Sequence, residues 1–336
     1  MMTYRSLGRT GVEVSACCLG CAPFGGAIPD PVAYDLVDRA LEVGINFVDT
    51  ANSYGRSEEV LGEALARNGR RAEVIVATKV GSYNRDTPPN GKGTSRRHII
   101  EQCERSLRRL RTDWIDLYQI HLPFPHIPLD ETLRALDDLV RAGKVRYLGG
   151  SNYAAWQYVE SFWIARELGL NRFISEQMPY HLLDRTAEVE LVPMAQTYGL
   201  ALNVYSPLAE GLLSGKYRRG AAPPADSRFA NRAEAINARL TDEVVAVLDT
   251  MEALAGEKNC TMTQLALAWC AGQPGIASVI IGPKTPEQLA DNVAAGEVVL
   301  TEDDRARLDA VAPPRRALVP YRDHYARLWG PHPARC

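Results

Sequence analysis

The chain has 336 residues, 46% hydrophobic and 24% charged, a length and composition that fit a globular protein with a large core and exclude collagen-like, disordered and disulfide-miniprotein classes. Its 38 basic and 41 acidic residues give a net charge of −3, so neither nucleic acid nor an anionic membrane surface is an expected partner. Apolar runs are too short to span a membrane and the N-terminus lacks a secretory signal, so we expect a cytoplasmic protein.

Short β-branched runs alternate with longer amphipathic stretches along most of the chain, which predicts repeated βαβ units. Ahead of them, residues 5–15 predict a hairpin around Arg9-Thr10-Gly11 that closes one end of the fold. The eight predicted strands are residues 16–20, 44–49, 74–79, 115–121, 145–149, 173–177, 201–205 and 276–281. These runs are apolar almost throughout, as expected for strands covered on both faces.

Helix signals lie between these strands. Ser57 begins a predicted helix that ends at Asn68-Gly69, and Asp130 is a candidate N-cap for another that Gly143 terminates. Eight strands with intervening helices and no interdomain linker predict one α/β domain over residues 1–336, a single (β/α)8 TIM barrel. Residues 207–231, a long glycine-containing loop after strand 7, are a functional-loop candidate, and residues 313–336 form an irregular tail.

Seven cysteines are scattered along the chain, an odd number that favours reduced thiols over a disulfide framework. Cys18 and Cys21 have the spacing of a metal-binding or redox pair. A second cysteine pair or spaced histidine pair, which would complete four zinc ligands, is missing from the sequence. We therefore predict buried cysteines at a strand end and no metal site.

Three consecutive strands end in ionisable residues, which are Asp49, Lys79 and His121, and Tyr54 follows Asp49 by five residues. The carboxyl ends of barrel strands form the active-site face, so these side chains should meet there. Taken singly, Asp49 and Lys79 could be a structural ion pair and His121 a core histidine. Three ionisable residues at adjacent strand ends, with a tyrosine beside them, are hard to explain by packing alone, because it is costly to bury charges. Together they favour a catalytic site.

Several motifs resemble the aldo-keto reductase superfamily, in the family's order along nearly the whole chain. They are FVDTANSYGRSE at 47–58, TK at 78–79, QIH at 119–121, GSN at 150–152, YSPL at 205–208 and IGPK at 281–284. The resemblance implies a (β/α)8 barrel that uses NADPH to reduce aldehydes and ketones. It also implies a catalytic tetrad of Asp49, Tyr54, Lys79 and His121.

Physical chemistry gives each tetrad residue a role in that reaction. Hydride arriving at a carbonyl carbon creates an alkoxide, so a proton must reach the oxygen, and Tyr54 is the expected acid. The Lys79 ammonium is expected to lower the phenol pKa from its usual value of about 10. Asp49 would hold Lys79, and His121 would donate a hydrogen bond to the substrate oxygen.

The resemblance also implies the residues that would bind the cofactor. Ser151, Asn152 and Gln177 would hold the nicotinamide amide, and Tyr205 would stack on its ring. Ordinary turn bonds and core packing are the alternatives. The loop residues that would cover the pyrophosphate are Ser206, Leu208, Gly211, Ser214 and Lys216.

The last βα junction predicts an anion site. Thr285 is a candidate N-cap with Pro286 first in the helix and Gln288 third, and a helix N-terminus attracts phosphate. Lys284, after Gly282, would bind the 2′-phosphate of NADPH, with Gln288 and Asn292 facing the adenine. The alternative is a solvent-facing lysine before a routine helix.

Substrate contacts and the functional alternative stay open. Phe24, Tyr83, Phe124 and Trp329 are candidate substrate contacts, or equally packing aromatics. A nucleotide-sensing regulatory subunit of the same fold is the alternative to a reductase. A short-chain reductase would need Tyr-x-x-x-Lys, which the sequence lacks, and no Gly-x-Gly-x-x-Gly motif opens the chain for a Rossmann site. The physiological substrate and the oligomeric state do not follow from the sequence.

Overall fold

The computed structural model describes residues 2–82, 90–225, 227–321, 325, 328 and 329. An antiparallel hairpin comes first, with β1 (Tyr4–Ser6) paired to β2 (Glu13–Ser15). Eight parallel strands then form a closed barrel in which the first strand also pairs with the last. They are β3 (Cys17–Gly20), β4 (Phe47–Asp49), β5 (Ile75–Val80), β6 (Ile115–Ile120), β7 (Val145–Ser151), β8 (Phe173–Pro179), β9 (Ala201–Tyr205) and β10 (Ile276–Ile281).

Helices follow the strands and cover the outside of the barrel. In chain order they are α1 (Asp30–Glu42), α2 (Ser57–Asn68), α3 (Arg96–Leu110), α4 (Leu129–Arg141), α5 (Ala155–Leu168), α6 (Leu191–Tyr198), α7 (Ala233–Arg239), α8 (Asp242–Glu257), α9 (Met262–Ala271), α10 (Pro286–Ala294) and α11 (Glu302–Val311). The predicted (β/α)8 barrel is thus confirmed. Within the described ranges, no helix has the length and apolarity needed to cross a membrane.

The local helix signals are mostly confirmed. Gly69 ends α2 in the left-handed conformation and Gly143 does the same after α4. The prediction for Asp130 was wrong, because α4 begins at Leu129 and Pro128 occupies the N-cap position. Asp130 instead lies in the first turn, where a carboxylate favours the positive end of the helix dipole. A proline directly before a helix fixes an extended entry without a side-chain cap.

The hairpin closes the amino end of the barrel, as predicted. Leu7 and Val14 are fully buried against inward-facing strand residues that include Phe47 and Leu117. One guanidinium nitrogen of Arg5 donates to the carbonyl oxygens of Ala271 and Ile276, at 2.7 and 2.8 Å. Those partners are 266 and 271 residues away in sequence. The hairpin therefore connects the start of the chain to α9 and β10 and leaves the carboxyl end of the barrel as the open face.

Cys18 and Cys21 are buried, as the sequence predicts. Burial raises the pKa of both thiols well above their ordinary value. Thiols that stay protonated are poor nucleophiles and poor metal ligands. No cluster of three or more metal-ligating side chains occurs in the described part of the chain.

Candidate active site

Four elements at the carboxyl end of the barrel bring the predicted tetrad together. Asp49 ends β4, Lys79 is the penultimate residue of β5, and His121 directly follows β6. Tyr54 lies in the turn before α2, where its backbone N–H donates to the Ala51 carbonyl oxygen. Parallel strands in register put these residues on one rim, because the carboxyl ends of the strands coincide.

Lys79 is completely buried at the centre of the group. Its Nζ donates to Asp49 Oδ1 at 2.6 Å, to the Thr50 carbonyl oxygen at 2.8 Å and to Tyr54 Oη at 3.4 Å. Burial favours the neutral amine, but Asp49 and Tyr54 outweigh it and raise the pKa of Lys79 above its ordinary value. The side chain is therefore an ammonium with all three protons engaged.

The second oxygen of the Asp49 carboxylate is also occupied. Oδ2 accepts from Gln177 Nε2 at 2.7 Å and from Gln119 Nε2 at 3.4 Å. Asp49 is buried with Lys79, and a buried ion pair is stable only when its remaining hydrogen-bonding positions are filled. The two glutamine amides fill them. The sequence did not indicate this role for Gln119 or Gln177, since the contact depends on where the barrel brings β6 and β8.

Tyr54 Oη lies between a cation and an imidazole, 3.4 Å from Lys79 Nζ and 3.5 Å from His121 Nε2. The expected fall in its pKa was wrong. Burial raises the pKa of Tyr54 above its ordinary value, and the Lys79 ammonium offsets only part of that rise. The phenol is consequently protonated near neutral pH. Its position beside an ammonium suits a group that gives up a proton and must then exist briefly as a phenolate.

His121 is neutral. Removal from bulk water and the nearby Lys79 charge lower its pKa to about 3. Its Nδ1 lies 3.4 Å from the Ser53 hydroxyl oxygen, while Nε2 faces Tyr54. If Ser53 donates to Nδ1, the ring proton is on Nε2 and points toward the rim, because a neutral imidazole carries one donor and one acceptor.

A cavity of about 680 Å³ opens above the tetrad and is lined by Asp49, Tyr54 and His121 at one end. Thirteen of the fourteen predicted cofactor residues line it, namely Ser151, Asn152, Gln177, Tyr205, Ser206, Leu208, Gly211, Ser214, Lys216, Gly282, Lys284, Gln288 and Asn292. The exception is Thr285, which caps α10 instead. Among its walls are also residues that the sequence analysis did not select, such as Pro23, Glu210, Arg228, Thr263, Asp291 and Tyr325.

Glu210 and Arg228 are the most informative of these additional residues. Glu210 Oε1 lies 2.9 Å from Arg228 Nη2, and its other oxygen accepts from Arg239. Burial opposes ionisation of Glu210, but the two guanidiniums lower its pKa below the ordinary value. The irregular loop thus closes on itself by ion pairs across the cavity wall. The sequence shows the opposite charges of Glu210 and Arg228, but not that the loop brings them together.

The far end of the cavity has the predicted helix start. Thr285 is the N-cap of α10, and its hydroxyl oxygen accepts from the Gln288 backbone N–H at 3.3 Å. The Gln288 side chain reaches one residue further than in a standard capping box and accepts from the Lys284 N–H at 2.8 Å. Lys284 itself is exposed beside the helix N-terminus. A full positive charge and a helix dipole therefore act at the same place.

The predicted substrate contacts, unlike the predicted cofactor residues, do not gather along the main cavity. Phe24 is buried in the core and Phe124 lines a separate small cavity beside Tyr153. Neither lines the main cavity, so the packing alternative describes both in this structure. Trp329 approaches the site, and its Nε1 donates to the Asn152 carbonyl oxygen at 2.9 Å. Tyr83 lies outside the described residues.

Comparison with known proteins gives a consistent result. The family model described as aldo/keto reductase family matches residues 16–313. A rice (Oryza sativa subsp. japonica) protein named probable voltage-gated potassium channel subunit beta is 38% identical over 319 residues, which cover 92% of this chain and 96% of that protein. A protein of Bacillus subtilis (strain 168) named uncharacterized oxidoreductase YrpG is 38% identical over 322 residues, 93% of this chain and 96% of its own. The Arabidopsis thaliana protein with the same channel-subunit name is 36% identical over 305 residues, 89% of this chain and 92% of that one.

Proposed function

Because this chain belongs to the aldo/keto reductase family, a family of oxidoreductases that generally use NAD(P)H, we propose that it reduces aldehyde or ketone carbonyls to alcohols with NADPH. The observation that carries the proposal is the position of Tyr54 Oη, 3.4 Å from Lys79 Nζ and 3.5 Å from His121 Nε2, at one end of the large cavity. A proton donor, a cation and a neutral hydrogen-bond donor meet where a carbonyl oxygen would bind.

The tetrad divides the chemistry at that oxygen. The bound dinucleotide would supply hydride to the carbonyl carbon. Tyr54 gives its phenol proton to the carbonyl oxygen, and the Lys79 ammonium stabilises the phenolate left behind. Neutral His121 donates a hydrogen bond from Nε2 to the same oxygen and so fixes its position. Asp49 keeps Lys79 charged and in place.

The order of the residues along the cavity supports the proposed dinucleotide. Ser151, Asn152 and the side-chain amide oxygen of Gln177 would bind the nicotinamide carboxamide. The amide nitrogen of Gln177 is already bound to Asp49. At the loop, Gly211 has φ 97°, and a β-carbon there would lie 2.9 Å from Lys216 Cε. A φ of 97° is a conformation that favours glycine, and Lys216 lies beside this backbone, where it would meet the pyrophosphate. Lys284 and the start of α10 would hold the 2′-phosphate.

Turnover with purified protein is the direct test. We expect NADPH to be oxidised, with one alcohol formed per NADPH, on a panel of aryl aldehydes, α-dicarbonyls, sugars and steroids. Tyr54→Phe is the control variant, since it removes only the hydroxyl. It should lower kcat by about two orders of magnitude or more while retaining NADPH binding. Near-normal kcat in that variant would exclude Tyr54 as the acid.

Cofactor preference has a separate test. A charge-assisted contact is worth about 1.5–3 kcal/mol, so Lys284→Met should raise the Kd for NADPH by about one to two orders of magnitude. NADH has no group at this position, and its Kd should not change. Fluorescence titration with both dinucleotides measures the difference. Equal weakening of the two would mean that Lys284 acts through the structure of the junction.

A nucleotide-sensing binding subunit is the second candidate function, favoured by the two plant relatives that are named as probable channel subunits. Such a protein would bind NADPH tightly yet turn it over slowly. Saturation of the wild-type protein with NADPH, followed by each carbonyl compound, distinguishes the two. Repeated turnover supports the reductase, whereas a single slow oxidation of the bound cofactor supports the sensor.

A further inference from the structure

Helix α5 carries an apolar stripe on its outer face. Trp156, Val159 and Trp163 are 42%, 38% and 65% exposed. Their spacing of three and four residues places them on one side of the helix. The chain has five tryptophans, and these two are the ones that are exposed in the described residues. They lie on the outside of the barrel and are no part of the cavity lining.

The inner face of α5 is apolar as well. Tyr158, Phe162 and Ala165 are buried against the barrel. A helix that is apolar on both faces is normally covered on both, and exposed apolar stripes of this kind mark contact surfaces. Tryptophan is among the residues most enriched at the centre of such surfaces.

The charges beside the stripe identify what covers it. Glu160 and Arg166 lie three residues before and three residues after Trp163. Neither belongs to an ion pair in the part of the chain that the structure describes. One carboxylate oxygen of Glu160 is buried there without a hydrogen-bond partner, while the residue as a whole is partly exposed. Arg166 is exposed. Among the described residues, therefore, neither group has an opposite charge beside it.

A two-fold axis through Trp163 supplies both charges. When two copies of α5 pack antiparallel about that axis, the residue n positions before Trp163 faces the residue n positions after it in the other copy. Glu160 then faces Arg166 twice, Trp163 meets its own counterpart, and Trp156 lies at the end of the partner's helix. Val159 falls opposite Glu167, at the edge of the contact. We propose that α5 is a self-association surface whose partner is a second copy of this chain.

Light scattering after size exclusion, with dilution to obtain a Kd, tests this assembly. We expect a dimer for the wild-type protein and a monomer for Trp163→Glu. As a matched control, Val299→Glu changes a 76% exposed residue that follows α10, across the barrel from α5, and should leave the dimer intact. Circular dichroism and NADPH binding check that each variant is folded.

Charge reversal makes the test specific for the antiparallel register. Glu160→Arg or Arg166→Glu alone creates like-charge contacts in both halves of the interface and should weaken the dimer by about tenfold or more. The double variant E160R/R166E restores opposite charges and should recover the dimer. Failure of the double variant to recover, or insensitivity to the single reversals, overturns the proposal.

A monomeric wild-type protein at all concentrations also overturns it. A further measurement on that monomer would then identify what covers the stripe instead. If the tryptophan fluorescence of that monomer shifts when the chain is ended at Trp329, residues 330–336 of the same chain cover α5. Catalytic turnover plays no part in these measurements, so the outcome is independent of the proposed function.

Discussion

The barrel interior has two layers that differ in chemistry although they are two residues apart on the same strands. Phe47, Ala77 and Leu117 form an apolar layer with the hairpin residues. Two positions later on the same three strands stand Asp49, Lys79 and Gln119, which are joined by hydrogen bonds. Side chains two apart on a strand face the same way. The inward-facing side chains of these three strands therefore change from apolar to charged or polar between one inward position and the next.

This difference separates stability from chemistry. The apolar layer stabilises the fold as long as its volume is filled, and its side chains need no hydrogen-bond or ionic partners. The polar layer is costly to bury and depends on each group being paired, since an unpaired buried charge carries a desolvation cost that an unfilled apolar gap does not. Substitutions in the two layers should accordingly have different signatures.

Lys79→Met should have the largest effect, because it breaks a buried ion pair and also removes the cation beside Tyr54. Removal of one partner of a buried ion pair costs about 3–5 kcal/mol of unfolding free energy, and kcat should fall at least a hundredfold. Urea denaturation and steady-state kinetics measure the two. The double variant with Asp49→Asn should regain much of the stability and none of the turnover. Recovery of turnover would show that the charge is dispensable.

Leu117→Ala tests the apolar layer. Loss of a fully buried leucine should reduce the unfolding free energy by about 2–5 kcal/mol, with kcat of the folded protein within about twofold of wild type. The same denaturation and kinetic measurements apply at a temperature where the variant stays folded. A large fall in kcat would contradict the separation of the layers.

Gly149→Ala probes the boundary between the layers. A β-carbon at Gly149 would lie 2.6 Å from Ser175 Oγ, 3.1 Å from Gln119 Cγ and 3.3 Å from Leu117 Cδ1. Overpacking should cost about 1–3 kcal/mol. Because Gln119 supports Asp49, kcat should fall severalfold too, an intermediate signature. If Ser175→Ala in the same chain restores both quantities, the crowding at Ser175 is their cause.

Acid should have the smallest effect of these changes, measured as the loss of unfolding free energy per pH unit. His121 has a pKa of about 3 in the folded protein and about 6.5 when unfolded. Between these values the unfolded chain binds a proton that the folded one does not, so stability rises with pH and is lost as pH falls below 6.5. His121→Asn should reduce this slope by up to about 1.4 kcal/mol per pH unit.

The sequence was sufficient for the features that local patterns determine. Each barrel strand and the cap at Thr285 follow from short-range signals, and the tetrad follows from which residues end β4, β5 and β6. It was insufficient where distant segments decide the outcome. Gln177 was assigned to the cofactor, yet its Nε2 is bound to Asp49, 128 residues away. The Glu210 to Arg228 ion pair likewise depends on how the long loop folds back.

Two further points have simpler causes. The sequence left Phe24 and Phe124 open between substrate contact and core packing, because the direction of a side chain after a strand is set by the turn. Phe24 lies in a turn that bridges to Ile28 and is directed into the core. The pKa of Tyr54 was inferred from its charged neighbour alone. Burial, which raises a phenol pKa, could not be judged before the cavity was known.

The contact of the hairpin with the end of α9 and the start of β10 has a consequence for synthesis on the ribosome. Arg5 leaves the ribosome early, but its acceptor on Ala271 is 266 residues later. At about 5–20 residues per second, that interval lasts about 13–53 s. Throughout it the apolar side chains of Leu7 and Val14 have no finished barrel to enter. The first segment to be made is therefore among the last to be fixed in place.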